Sequence, residues 1–403
     1  MLSFDTFSYF VDLFALAVIV VPLFYILPWA WARKLVLTLT GAYLLLTIAP
    51  RLALFYVFFW LVIHVLALIV DKTAESKAAT PTLTFSILAT LAALLTWRFF
   101  ETAFVVNFNL ELNDALQFFS LRVFEVDLAS RIITPLGLSF ATFRAIDYLT
   151  QINLGSTERG SLNHTMFLGF FPPVQIIGPV AGANELALRT ERGPNRDDFT
   201  DALFLITSGL VKVFALAYPI RQSAEVFGFF ESNGTLAVWG ELFLYGWFFY
   251  LNFAGYSDIA IGSGRLFGIR LKPNFNNPYL KTNPQDFWNA WHMSLTRFAQ
   301  KYVFVPMGGM RSGRQYIAVF ATIMVIALWH DISWALFIFG LYHAAGLVAH
   351  RLLLKRREPS DSQILTRVVK PAMLFTFVLV SLPLLTLRLD ELGSFYGKLA
   401  GMS

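Results

Sequence analysis

Two histidines stand in polar company inside a chain that is otherwise apolar. In WNAWHMSLT, residues 288–296, His292 has Asn289 three residues before it and Thr296 four after it, with Trp288, Trp291 and Leu295 close by. In ALWHDISW, residues 327–334, His330 is followed by Asp331 and Ser333. Imidazole is the side chain whose ordinary pKa, near 6.5, lies closest to neutrality, so it suits proton transfer to or from a reacting group. An ionisable group inside a bilayer is costly and by default marks a functional site.

The surroundings say that a bilayer is the relevant solvent. Of 403 residues, 57% are hydrophobic and 14% charged, against about 25% charged in an ordinary soluble domain. Apolar stretches recur from Phe10 to Leu387 without a long polar block, which predicts one all-α integral membrane domain over residues 1–403. Runs near the 17 to 25 residues that cross about 30 Å of hydrocarbon are Phe14–Trp31, Leu35–Ile48, Leu52–Val70, Leu83–Phe100, Ile133–Leu149, Ala202–Pro219, Leu236–Phe253 and Met373–Leu387. DKTAESKAAT, residues 71–80, is small and charged and reads as a solvated turn. The first run follows Asp5 and Asp12 without a Lys or Arg, the wrong flank for a signal peptide, and precedes Lys34; the positive-inside tendency then puts the N-terminus outside the cytoplasm.

The net charge of +5 does not indicate nucleic acid, because Lys and Arg are dispersed in short loops; topology and anionic lipid explain the bias. The chain has no cysteine, which rules out disulfides and a thiol-bound acyl intermediate, and with it the cysteine-based protein S-acyltransferases. No metal-ligand spacing, GxSxG elbow or phosphate-binding glycine loop is present in the sequence, so no metal or bound cofactor is expected.

Two stretches do not read as simple spans. FFPPVQIIGPVAGA, residues 170–183, holds three prolines and two glycines. It predicts either a broken, re-entrant segment, tolerated at membrane depth only where buried in protein or lining a wet cavity, or a loop lying flat at the interface. Residues 274–314 are polar and aromatic. Within them Asn283-Pro284-Gln285-Asp286 reads as a helix start: Asn as N-cap, Pro at the first helical position, Asp near the positive helix end. His292 is then expected to ride on that helix, with Asn289 and Thr296 on its stripe and Trp288, Trp291 and Leu295 beside it. The competing reading parks His292 at the headgroup level among anchoring tryptophans.

His330 ends the apolar run Ile317–Trp329, thirteen residues that as a helix extend about 20 Å, short of the ~30 Å bilayer. A second run, Trp334–Ala349, follows. Arg311 and Arg314 precede the pair, and Arg351 and Lys355-Arg356-Arg357 follow it. Basic outer flanks predict a hairpin with both ends cytoplasmic and His330 near its tip, Ser333 or Asp331 capping the second helix; the alternative is one long tilted helix. His343, on an apolar helix, and His350, beside Arg351, are weaker candidates, and His64 and His164 have no polar constellation in the sequence.

YLNFAGYSDIAIGSGRLFGIRL (250–271), NFNNPYL (274–280), DFWNAWHMSL (286–295), YVFVPMGG (302–309) and ALWHDISW together resemble the membrane-bound O-acyltransferases, MBOAT, and within them the bacterial polysaccharide acylases that include alginate O-acetyltransferase and the D-alanyl transfer protein of teichoic acid. PLGLSFATFRAIDYL (135–149) and the FFPP stretch extend the likeness over about residues 130–350. The resemblance implies a multi-helix bundle around a tunnel, with short re-entrant or interfacial helices, in the bacterial inner membrane. It implies that His330 is catalytic and His292 the second histidine; Asn289, Trp288, Trp291, Thr296, Asp331 and Ser333, read from the residues around the two histidines, are the substrate-binding candidates.

By the same resemblance the donor is a cytoplasmic acyl thioester, acyl-CoA or an acyl carrier protein. The acceptor is a hydroxyl of an extracytoplasmic polysaccharide, reached with a periplasmic or extracellular acyl-transfer partner. PMGGMR and the short interval between the two histidines lean toward acetyl transfer, the short chain and WHMSL toward D-alanyl. The rival class is a proton-coupled transporter, which broken helices and intramembrane histidines also mark; against it, the polar residues cluster in one half of the chain, and no matching interrupted segment appears in the other.

Overall fold

A computed structural model describes residues 7–48, 50–97, 129–175, 177–186, 196–227, 230–232, 234–311, 313–330, 332–354 and 365–402. These form helices and irregular connections, with no strand among them. The helices are α1 (Phe7–Ile26), α2 (Ala30–Ile48), α3 (Pro50–Thr73), α4 (Ala79–Trp97), α5 (Ala129–Asn153), α6 (Leu162–Phe170), α7 (Arg196–Leu210), α8 (Tyr218–Phe227), α9 (Thr235–Leu266), α10 (Pro284–Ala290), α11 (Met293–Ala299), α12 (Gln315–His330), α13 (Trp334–Leu354), α14 (Lys370–Ser381) and α15 (Leu389–Leu399). Among the described residues, five stretches are long and apolar enough to cross a membrane: Leu52–Thr73, Ala79–Trp97, Arg196–Ser223, Trp334–Leu353 and Arg367–Leu385. The chain is an all-helical integral membrane protein.

Several expected spans shift for local reasons. Phe14–Trp31 is cut at Ile26, and α2 begins at Ala30, because a residue preceding proline is pushed out of the helical region and Pro28 occupies the gap. Of DKTAESKAAT, the first three residues end α3 and the last two begin α4, leaving residues 74–78 as the turn between them. Ala202–Pro219 passes from α7 into α8 through a π-helical turn, Val211–Ala217. Asp331 and Lys355–Arg357 lie outside the described residues.

The chain divides into two compact units, Met1–Phe204 with Ala260–Leu271, and Leu205–Ile259 with Lys272–Ser403. In the first unit, α5, which contains the expected span Ile133–Leu149, is buried on every side from Gly137 to Leu149. It holds the proline-rich stretch in place. α6 stops at Phe170 before Pro172 and Pro173, and a 3-10 turn, Pro172–Val174, follows. Arg144, which is 1% exposed, takes up carbonyls on both sides of this break: its guanidinium donates to the oxygen of Leu168 at the end of α6 and to that of Val174 in the 3-10 turn, the second at 2.8 Å. One turn along α5, Asp147 Oδ2 accepts the Ala183 N–H at 3.0 Å. Gly178 takes φ 135°, a region open to glycine. Phe170, Phe171, Val174, Gln175, Val180, Ala181 and Ala183 are buried, so the stretch is broken and enclosed by protein, and the reading as a flat surface loop fails.

The same unit gives His64 and His164 polar partners on α6 and α2. His64 Nδ1 lies 3.0 Å from Thr165 Oγ1, and His164 Nδ1 lies 3.0 Å from Lys34 Nζ. An ammonium can only donate, so His164 accepts through Nδ1. α2 and α6 touch backbone to side at Gly41, where a Cβ would stand 1.8 Å from the Phe170 carbonyl oxygen; small residues permit such close approach between membrane helices.

In the second unit, α12 and α13 form the expected antiparallel hairpin rather than one long helix. Gly340 faces Met324 and Ala327 so closely that a Cβ would meet the Met324 sulfur at 2.4 Å. Ser333 Oγ accepts the Leu336 N–H at 3.3 Å, capping α13. α10 starts as the sequence predicts: Asn283 Oδ1 accepts the Asp286 N–H at 2.9 Å, and Pro284 occupies the first turn.

Gly41→Ala forces the α2–α6 contact apart and is expected to lower stability by about 1–3 kcal/mol. Gly393→Ala, at an α15 position where a Cβ meets nothing within 4 Å, is expected to be stabilising by about 0.5–1 kcal/mol. Thermal unfolding of each purified variant in one detergent decides both signs. Asn283→Ala is expected to cost about 0.5–2 kcal/mol and Asn283→Ser to be tolerated, read in the same assay; equal melting of the Ala variant and the wild type would remove the cap from the account.

Candidate functional site

Every residue of the candidate site lies in the second unit. The helix expected to carry His292 is interrupted there. α10 ends at Ala290, Trp291 turns to an extended conformation (φ −102°, ψ 129°), and His292 takes a left-handed one (φ 42°, ψ 52°) before α11 begins at Met293. Asn289, His292 and Thr296 therefore share no helical stripe, which corrects the sequence reading. Asn289 is on the surface and His292 is 2% exposed. A non-glycine residue at positive φ carries strain of about 1–2 kcal/mol, and the surroundings must impose it.

The segment after α9 imposes it. Asn274, 1% exposed, accepts the Met293 N–H on its main-chain oxygen at 2.8 Å, and two residues on the Asn276 N–H donates to the Ala290 oxygen at 2.9 Å. The Asn274 side chain reaches the same break. Its Oδ1 accepts the Ser294 N–H at 3.1 Å and the Ser294 hydroxyl at 2.8 Å, and it stands 3.3 Å from His292 Nδ1. Its Nδ2 donates to Ser257 Oγ at 3.1 Å. The His292 ring meets Phe253 edge to face, with centroids 4.7 Å apart, and Trp329 at 6.2 Å; Trp329 in turn lies 4.5 Å from the His330 ring. The tip of the hairpin thus brings His330, exposed at the end of α12, to the same cluster as His292.

The remaining expected residues fall around this centre with different tasks. Trp291 stacks on Phe249, Tyr279 and Phe287 at 5.5, 5.8 and 5.6 Å, so its ring packs the break. Trp288 meets the buried His343 edge to face at 5.3 Å, and His343 Nε2 lies 2.9 Å from Ser381 Oγ; this fastens α10 to α13 and α14. Thr296 Oγ1 donates to the Trp291 oxygen at 3.4 Å, again bracing the break. Ser333 is the cap of α13.

Sequence reasoning missed Asn274, Ser257 and Phe253. The signal was available only as an asparagine within a quoted motif, because no periodicity relates it to a histidine 18 residues away. It also missed an ion pair next to Ser257, where Lys212 on the π-helical turn meets Asp258. Charges within a membrane-spanning stretch, and π turns themselves, concentrate at functional places.

Comparison with known proteins fits these positions. Residues 170–382 match the MBOAT, membrane-bound O-acyltransferase family, a range that holds the broken stretch, both histidines and Asn274. The probable alginate O-acetylase of Pseudomonas aeruginosa is 29% identical over 313 residues, 76% of this chain and 58% of that protein. The peptidoglycan O-acetyltransferase of Helicobacter pylori is 30% identical over 256 residues, 55% of this chain and 48% of that protein. The teichoic acid D-alanyltransferase of Streptococcus thermophilus is 27% identical over 257 residues, 59% of this chain and 61% of that protein. The alignments thus cover about half to three fifths of these relatives' lengths, and a transporter reading finds no support among them. With over half of its length matched, and with the two histidines and the enclosed proline-rich stretch inside the match, the chain belongs to the membrane-bound O-acyltransferase family.

Proposed function

We propose that the chain transfers an acyl group, acetyl in the first instance, from a cytoplasmic thioester donor to a hydroxyl of an extracytoplasmic polysaccharide or of a partner protein that passes it on. The observation that carries this reading is the meeting of His292 and His330 around Trp329 within the family match. His330 is the general base: as the hydroxyl oxygen attacks the thioester carbonyl, its proton passes to the imidazole, the new C–O bond forms, the C–S bond breaks, and the proton goes on to the leaving thiolate. Such assistance contributes about 10²- to 10⁴-fold. No residue is acylated in this scheme; donor and acceptor meet in one ternary complex.

The hairpin supports the depth this needs. α12 has 16 residues, about 24 Å of helix, whereas the stretch Trp334–Leu353 in α13 is long enough to cross; with both outer ends at one interface, the short arm leaves His330 within the bilayer thickness, away from the donor's side. Arg314 is exposed at the start of α12, three residues after Arg311 in the sequence, and acyl-CoA or an acidic acyl carrier protein would meet positive charge there. On the far side, the polymer and an extracytoplasmic acyl-transfer partner would complete the pathway, in the inner membrane of a bacterium.

In a deletion strain complemented with each variant, His330→Ala is expected to remove essentially all alkali-released acetate from the exported polymer while the protein still inserts. His292→Ala is expected to lose less, raising the apparent KM more than it lowers kcat. Wild-type ester from His330→Ala would end the catalytic assignment, and release of D-alanine in place of acetate would keep the mechanism and replace the acyl group. Charge reversal at Arg311 and Arg314 together is expected to weaken donor use and flatten its salt dependence; labelling of cysteines placed there by an impermeant reagent added outside intact cells would reverse the topology.

A further inference from the structure

A neutral imidazole carries one ring hydrogen, and which nitrogen holds it decides what the ring can do. Around His292 the neighbouring donors and acceptors point to one assignment. The Ser294 main-chain N–H can only donate, so the Asn274 atom 3.1 Å from it is the amide oxygen; this fixes the orientation of the side-chain amide and sends its NH₂ group to Ser257 Oγ at 3.1 Å. The same oxygen takes the single hydrogen of the Ser294 hydroxyl at 2.8 Å. His292 Nδ1 lies 3.3 Å from that oxygen and 3.4 Å from Ser294 Oγ. An amide oxygen has no hydrogen to give, and the Ser294 hydroxyl gives its own to that oxygen at the shorter distance, so in the 3.3 Å contact the nitrogen is the donor.

We infer that Asn274 is a positioning residue that locks neutral His292 in the Nδ1–H tautomer, leaving Nε2 a lone-pair acceptor for a substrate hydroxyl. The inference rests on the proposed acyl transfer and deepens it. With its lone pair at Nε2, neutral His292 cannot donate to the carbonyl oxygen on which negative charge develops, since that requires an N–H. It can hold the acceptor, by taking a hydrogen bond from an O–H next to the one that attacks, whose own hydrogen goes to His330. Ser257 belongs to the device because it receives the amide hydrogens and so keeps the oxygen turned toward His292. The left-handed backbone at His292 occurs at the same residue whose Nδ1 faces Asn274.

The test uses the full chain with ¹⁵N-labelled histidine in lipid nanodiscs, His292→Gln identifying the His292 signals. The expected spectrum has hydrogen on Nδ1 and a bare Nε2 in the wild type and in Asn274→Asp, which keeps an acceptor oxygen and lets the Ser257 hydroxyl turn to donate. Asn274→Leu removes the acceptor and is expected to show mixed tautomers. In complemented cells Asn274→Leu should lower polymer ester by about 10- to 100-fold, the size of effect seen when a group that orients a histidine is removed, and Asn274→Asp should restore most of it. Hydrogen on Nε2 in the wild type, or undiminished ester from Asn274→Leu at equal expression, overturns the inference. If the Leu variant fails to insert, the wild-type and Asp spectra still decide. Absence of any ester from the wild-type chain would instead sink the proposed activity and leave the tautomer measurement standing.

Discussion

A helix that breaks inside a water-poor interior must find partners for the backbone groups it abandons, and much of this structure answers that demand. In the second unit the break between α10 and α11 is closed by Asn274 and Asn276, which pair with Met293 and Ala290 much as two strands would. In the first unit the break after α6 is closed by Arg144 and Asp147 on α5. The two solutions differ in chemistry. A buried guanidinium suits a helix C-terminus, where several carbonyls converge and the dipole favours a cation. An uncharged asparagine suits a break that also has to position an imidazole.

This explains why so much polar hardware surrounds so little apparent chemistry. Of the buried polar residues, Ser257, Asn274, Ser294 and Thr296 all brace the 290–293 break, and Trp291 supports it from the aromatic side. The packed rings of Trp291, Phe249, Tyr279 and Phe287 supply the close-packed frame that holding a strained residue in place requires.

The sequence made the long apolar helices, the α12–α13 hairpin, the Asn283 cap and the two histidines legible, because each is written locally: run length, flanking charge, a capping residue before a proline. The turn at His292 was not legible, since Asn289, His292 and Thr296 repeat at helical spacing and the residues imposing the break are 15 or more positions away. Arg144 and Asp147 were visible as charges in an apolar run, yet a span drawn by hydropathy absorbs them. Pro28 was likewise present in the sequence and outweighed by the apolar residues around it. In each case a window average concealed the single residue that decided the geometry.

The left-handed backbone at residue 292 also shapes how this position drifts when selection relaxes. Glycine and asparagine adopt that conformation at lower cost than histidine does, so a lineage that ceased to need the imidazole could exchange it for either one and lose strain in doing so. Decay at this site would then begin as a gain in folding stability rather than a loss, and a copy with asparagine there could remain abundant and well folded in its membrane long after its chemistry had gone.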